Sequence, residues 1–186
     1  MALTPHDLQP ILEGPRLRLR PLRSSDFDPL YAAASDPLIW EQHPERDRYK
    51  LDVFRNYFEG ALASKGALVV IDRESNKIIG SSRYSGFDHQ GRVEIGYTFL
   101  TRDFWGRGFN REMKHLMLDH AFQFVDRVLF LIGEQNLRSR RAIEKLGASL
   151  IDRKERQSRD GQQHFTTIYE IQRSRWVELD SNNKEL

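Results

Sequence analysis

The sequence predicts one mixed α/β domain: a mostly antiparallel sheet of about seven strands, flanked by helices, with a central βαβ crossover. Three observations predict it. Between residues 67 and 100, three strand-like runs follow one another with only short polar turns between them, the pattern of an antiparallel meander. A long amphipathic segment then leads into a run that is apolar at every position, as expected of a strand covered on both faces. Near the C-terminus two further extended runs flank a turn.

Taken in order, the first dozen residues carry two prolines and no period, so residues 1–15 read as an arm. Leu17-Arg18-Leu19-Arg20-Pro21-Leu22 alternates apolar and basic, the period of a half-buried strand. Ser24-Ser25-Asp26 offers helix caps, and Phe27, Leu30, Tyr31 and Ala34 follow at helical spacing until Asp36-Pro37 stops the helix. Leu38 to Arg48 has no period and reads as a loop. A second amphipathic helix is marked by Val53, Phe54, Tyr57, Phe58, Ala61 and Leu62, ending near Gly66.

The meander comprises Ala67–Asp72, Lys77–Ser85 and Arg92–Leu100, with turns at Arg73–Asn76 and Asp88–Gly91. Met113, Leu116, Met117, Ala121 and Phe124 stripe one face of a helix over about Arg111 to Val125. Val128–Ile132 is the buried strand behind it, completing a βαβ unit. A short helix with Ala142, Ile143 and Leu146 closes at Gly147. Ser149–Gln157 and Gln163–Ile171 form a hairpin about Ser158-Arg159-Asp160-Gly161. The domain therefore spans 16–176, and the polar tail 177–186 is expected to fray.

Composition narrows the function. The 186 residues suit one domain, and 39% apolar with 30% charged residues suits a globular one. A net charge of +2, from 29 basic and 27 acidic residues, lacks the basic field of a general nucleic-acid binder. The absence of cysteine excludes disulfides, thiolate catalysis and cysteine-ligated zinc. His115 and His120 are five apart on a helix, which is no metal-ligand spacing, so no metal is expected. Apolar stretches are too short to cross a membrane, and the start lacks the pattern of a secretion signal. The expected location is the cytoplasm.

The most informative stretch is Thr101-Arg102-Asp103-Phe104-Trp105-Gly106-Arg107-Gly108-Phe109-Asn110, between a strand and the long helix. Two glycines one residue apart can turn backbone amides toward an anion at the positive end of a helix. Arg102, Arg107, Arg111 and Lys114 add positive charge to the segment. A dinucleotide loop would need a third glycine where Arg111 stands, and an ATP/GTP loop would need Gly-Lys-Ser/Thr. Neither is present. A tight strand-to-helix turn fits a bare Gly-x-Gly equally well.

Trp105-Gly106-Arg107-Gly108-Phe109-Asn110 resembles the acetyl-CoA pyrophosphate loop of the GNAT acetyltransferases, usually Gln/Arg-x-x-Gly-x-Gly/Ala. Trp105 stands where Gln or Arg is usual, and Asn110 replaces a small residue. Both departures are similar to the RimJ/RimL-type branch. Asn136-Leu137-Arg138-Ser139-Arg140-Arg141-Ala142-Ile143-Glu144-Lys145-Leu146-Gly147-Ala148 resembles the second signature of the family, an Asn followed by a helix ending in Glu-Lys-Leu-Gly. The resemblance covers about Arg16 to Gln172.

The resemblance implies direct transfer of acetyl from acetyl-CoA to an amine. It implies that the pantetheine arm lies between the strand Arg92–Leu100 and the strand Val128–Ile132, against backbone near Phe99 and Leu100. Arg102, Trp105, Gly106, Arg107, Gly108, Phe109 and Asn110 then belong to the cofactor loop. Asn136 would bond the pantetheine, or else cap the next helix. Arg141 would reach the adenosine phosphate, unless Arg138, Arg140 and Arg141 are a solvated face. Glu94 matches the family's general base, against the plainer reading of a cross-strand charge. Ser139 matches a serine that assists the leaving thiolate in RimL-type enzymes, or serves as a cap. The family's usual tyrosine acid is replaced by Ile143.

For the acceptor, the loop Trp40-Glu41-Gln42-His43-Pro44 lies where the family builds a wall. Arg83, Tyr84 and Tyr97 are candidates to face the same cleft, and His43 is also readable as a surface residue. A peptide N-terminus, a polyamine and an aminated metabolite all remain open. The other class of function is a non-catalytic acyl-CoA-binding module. Because relatives often pair, a homodimer is one expectation, with Trp176 as an interface candidate.

Overall fold

The computed structural model describes residues 8–88, 90–157 and 161–184. His89 of the predicted turn Asp88–Gly91, residues 158–160 of the hairpin turn, the first seven residues of the arm and the last two of the tail lie outside them. The strands are β1 (Leu12–Glu13), β2 (Leu17–Pro21), β3 (Ala67–Asp72), β4 (Ile78–Asp88), β5 (Arg92–Leu100), β6 (Arg127–Gly133), β7 (Ser149–Gln157) and β8 (Gln163–Gln172). The helices are α1 (Phe27–Ala34), α2 (Leu51–Ala63), α3 (Phe109–Ala121), α4 (Leu137–Glu144) and α5 (Arg173–Lys184).

The eight strands form one sheet in the order β1-β2-β3-β4-β5-β6-β8-β7. Every neighbouring pair is antiparallel except β5 and β6, which run parallel because α3 carries the chain from one to the other. The predicted mixed sheet and its crossover are therefore present, with one strand more than expected. That strand is β1, where Leu12 and Glu13 of the arm pair with Leu19 and Arg18. Two residues are too few to show a period.

Except at the exposed edge strand β7, the sheet is covered on both faces, and strand alternation assigns each residue to a side. On one face, α3 buries Met113, Met117, Leu118 and Ala121 against Leu17, Leu19, Val93, Ile95, Val128 and Phe130. On the other, α1 and α2 bury Leu30, Phe54 and Phe58 against Val69, Ile71 and Phe99. The tail differs from expectation, because residues 173–184 are helical instead of frayed. Trp176 anchors that helix on α3 of its own chain: its indole donates to Asp119 Oδ1 at 2.7 Å and its ring lies 4.6 Å from His115. At 5% exposure it is core, which corrects its reading as an interface residue.

Candidate active site

The site begins where two strands part. β5 and β6 keep register only for Arg92, Val93 and Glu94 against Arg127, Val128 and Leu129. A bulge bends β5 just beyond: Ser81 faces Phe99 while Arg83 faces Gly96, so β5 holds one extra residue. Tyr97, in the bulge, takes the left-handed backbone conformation at φ 53°, which side-chain-bearing residues avoid. Thr101 N–H bonds Ile79 O on the β4 side at 2.8 Å. By alternation the N–H and C=O of Leu100 turn toward the gap. There the Leu100 carbonyl accepts the Trp105 indole N–H at 2.9 Å. The opening is thus a slot edged by strand backbone.

Below the slot lies the glycine loop. Gly106 and Gly108 have φ of 70° and 83°, and Gly108 is the residue preceding the first turn of α3. Only glycine takes these angles freely, and they direct the loop to the positive helix end. A clamp that local sequence does not reveal holds it. Arg16 donates Nη1–H to Arg107 O at 2.8 Å and Nε–H to Glu112 Oε2 at 2.7 Å, and its guanidinium lies 4.4 Å over Phe109. Glu112 Oε1 also accepts the backbone N–H of Arg16 and Leu17.

The predicted basic residues divide. Arg107 stays exposed and packs 5.6 Å from the Phe109 ring. Arg102 pairs with Asp36. Lys114 corrects the sequence reading, because it turns away from the loop into the sheet and is 3% exposed. Its Nζ donates to Thr98 Oγ1 at 2.6 Å and to Ser82 Oγ at 3.3 Å. Burial lowers its pKa to about 7, against the pull of the Glu94 carboxylate.

Across the slot, Asn136 is buried and caps α4, its Oδ1 accepting Ser139 N–H at 3.2 Å. The cap leaves its amide N–H₂ as a donor, so the plainer reading and the ligand reading are compatible. Arg138 joins the two lips, stacking 3.8 Å over Trp105 and donating to Ile39 O at 3.1 Å. Arg140 is held by Tyr169 and Glu134, whereas Arg141 is exposed. Ile143 is 4% exposed and packs in the core, so the usual tyrosine position has become part of the packing.

On the α2 face, Glu94 stands beside Arg83 and Ser85, since Ser85 is its cross-strand partner. It is half-buried, and that burial raises its pKa above the ordinary glutamate value, with Ser85, Arg83, Arg156 and Lys114 pulling the other way. The Ser85 hydroxyl is close enough to favour the carboxylate yet outside hydrogen-bond geometry. Arg83 is 7% exposed, with its guanidinium 4.0 Å from the Tyr97 ring and 5.7 Å from Tyr57. Tyr57 donates its O–H to Tyr97 O at 2.9 Å. Tyr84 corrects its reading as a cleft residue: it points to the opposite face and donates to Met117 O at 2.7 Å.

The loop after α1, expected to form the acceptor wall, differs in part from that expectation. Trp40 is 2% exposed, donates to Ala34 O at 2.8 Å and packs 5.1 Å from Phe99, so it backs the wall from inside the core. His43 accepts Glu45 N–H at Nδ1 at 2.9 Å. Burial first, then the nearby Arg48 charge, lowers its pKa to about 3, so it is neutral at neutral pH. Arg48, which the sequence gave no reason to single out, lies 5.0 Å from the Tyr57 ring and 5.6 Å from Trp40. The fold thus gathers Glu94, Arg83, Tyr97 and His43 with Arg48 and Tyr57, and leaves Arg102 and Arg141 at the surface.

Residues 16–149 match the model of the Acetyltransferase (GNAT) domain. The chain belongs to the GNAT acetyltransferase family. It is 30% identical over 115 residues to the uncharacterized N-acetyltransferase p20 of Bacillus licheniformis, covering 58% of this chain and 63% of that relative, a little under two thirds of its length. A GCN5-related N-acetyltransferase from Brucella melitensis superposes with a TM-score of 0.79 at 24% identity, covering 91% of this chain and 81% of the other. RimJ of Mycobacterium smegmatis, in complex with CoA-disulfide, gives 0.68 at 17% identity and covers 85% and 82%. Spermidine N-acetyltransferase of Vibrio cholerae, in complex with CoA and spermine, gives 0.70 at 16% and covers 88% and 99%. These structures share the fold of this GNAT protein. No helix among the described residues is long and apolar enough to cross a membrane.

Proposed function

We propose that this protein transfers an acetyl group from acetyl-CoA to a primary amine, on a protein N-terminus or a small molecule, by direct attack. One observation carries the reading: a backbone-edged slot between β5 and β6 opens over a Gly-x-Gly loop and has the half-buried Glu94 where the two strands part. The amides turned by Gly106 and Gly108 suit a pyrophosphate, and an amide-rich arm suits the strand edge at Leu100, whose N–H turns toward the gap beside the carbonyl held by Trp105. Asn136, through its uncommitted N–H₂, would donate to that arm. Trp105 and Asn110 favour a RimJ/RimL-type branch, although a spermidine enzyme superposes as well as RimJ does.

In the reaction the amine nitrogen forms a bond to the thioester carbon and the carbon–sulfur bond breaks. Glu94, directly or through a water, takes the proton the amine loses, and its raised pKa brings it nearer the working pH. The sulfur leaves as thiolate. Ser139, in the first turn of α4, would hydrogen-bond it, a weaker aid than a proton from tyrosine. Steady-state thiol release with both substrates varied tests this. Direct attack predicts that both must bind before any thiol appears, with one N-acetyl product per thiol. A stable acetyl-enzyme would contradict direct attack, and CoA binding without turnover of any amine would make the protein a CoA-binding module.

A further inference from the structure

The acceptor side holds more positive charge than an amine acceptor calls for. An incoming ammonium group would meet Glu94, but also Arg83, Arg48 and Arg156. Among the described residues Arg83 forms no ion pair. Its Nε is buried without a hydrogen-bond partner. Tyr97 and Tyr57 flank the guanidinium, which fixes its orientation without neutralising it. Arg48 is desolvated by the same wall, and the Arg83 charge presses further on it. On the β8 side, the ring of His164 has Nδ1 buried without a partner and lies near enough to His43 to disfavour a proton there. Glu45 and Glu94 are the carboxylates whose charge reaches this group. Arg83 and Arg48 both lie against the Tyr57 ring, at 5.7 and 5.0 Å, and the 3.3 Å contact from Arg48 to His43 Nε2 offsets neither charge, so an anion reaching both is favoured.

We infer that the acceptor carries a carboxylate as well as its amine, with the carboxylate held by Arg83 and Arg48 and the amine presented to Glu94. This rests on the acetyl-transfer reading above. The substrate class is an amino acid or a peptide whose acidic group lies close to its N-terminus. A planar guanidinium fork matches a carboxylate, and a polyamine would be repelled.

The test uses matched pairs: β-alanine with β-alaninamide, phenylalanine with phenylalaninamide, and phosphoethanolamine and spermidine beside them. Each is titrated calorimetrically into the protein–CoA complex and assayed for thiol release with acetyl-CoA. The proposal expects at least one acid to bind and react about tenfold better than its amide, the loss of one charged hydrogen bond. Arg83→Gln should abolish that preference with CoA affinity unchanged, and Arg83→Lys should restore part of it; Arg48→Gln is the second variant should Arg83→Gln not fold. An amide or spermidine preferred, no acid bound above its amide, or a preference that survives both Gln variants would overturn it. Phosphoethanolamine preferred over every acid would overturn the carboxylate and assign a phosphate. Failure of the wild type to bind CoA would instead remove the acetyl-transfer reading beneath.

Discussion

The proposed donor and acceptor halves of the site are built in opposite ways. The donor half is continuous in sequence: Leu100 through Asn110 supplies strand edge, glycine turn and helix start within one stretch, and it would meet its ligand through backbone groups. The acceptor half is assembled from side chains at His43, Arg48, Tyr57, Arg83, Glu94 and Tyr97, brought together from α2, two strands and a loop. A backbone site tolerates side-chain change as long as its φ angles are kept. A side-chain site is reset by single substitutions, which suits a family that keeps one donor and varies its acceptor.

Substitutions should separate the two halves. The largest effect is expected from Glu94→Gln, which should lower kcat roughly 10²-fold or more and leave CoA affinity unchanged by calorimetry. Because burial raises the Glu94 pKa, wild-type turnover should fall as pH drops through a value above 4.5, and the variant should lose that limb. Gly108→Val should do the reverse. It forces a β-branched residue to φ 83° and brings a Cβ to 3.2 Å from Arg16, a strain of about 1–3 kcal/mol. CoA affinity should fall roughly tenfold, and the kcat of whatever binds should change little.

The smallest effect is on stability. Lys114 has an unfolded pKa near 10.5 and a folded value of about 7, so above pH 7 the unfolded chain binds more protons. Stability therefore rises from about pH 7 upward, and the penalty of the buried ammonium is fully present below it. Lys114→Met should be more stable than the wild type at pH 6 by about 1 kcal/mol, roughly 2–4 °C in Tm, with the gain fading toward pH 10. Thermal melts across that range check it.

The same contrast explains what could be read from the chain. The sheet, its crossover and the loop follow from local period and turn chemistry, and the motif Trp105–Asn110 sits where expected. Lys114 was misassigned because a lysine near a basic loop looks like part of it, and only helical phase against β5 shows that it is buried. Arg16 was missed because its partner Glu112 is 96 residues away. Arg48 lies in a loop without period, so nothing local distinguishes it from a solvated charge. Trp40 is expected to face the cleft but lies in the core, because which way a loop residue faces depends on packing that one sequence does not display.

Isothermal calorimetry of the full chain with acetyl-CoA, CoA and ATP tests the central claim most directly. The slot and glycine loop predict binding of both CoA species and none of ATP. Failure of both CoA species to bind, or ATP binding as well as they do, would contradict it.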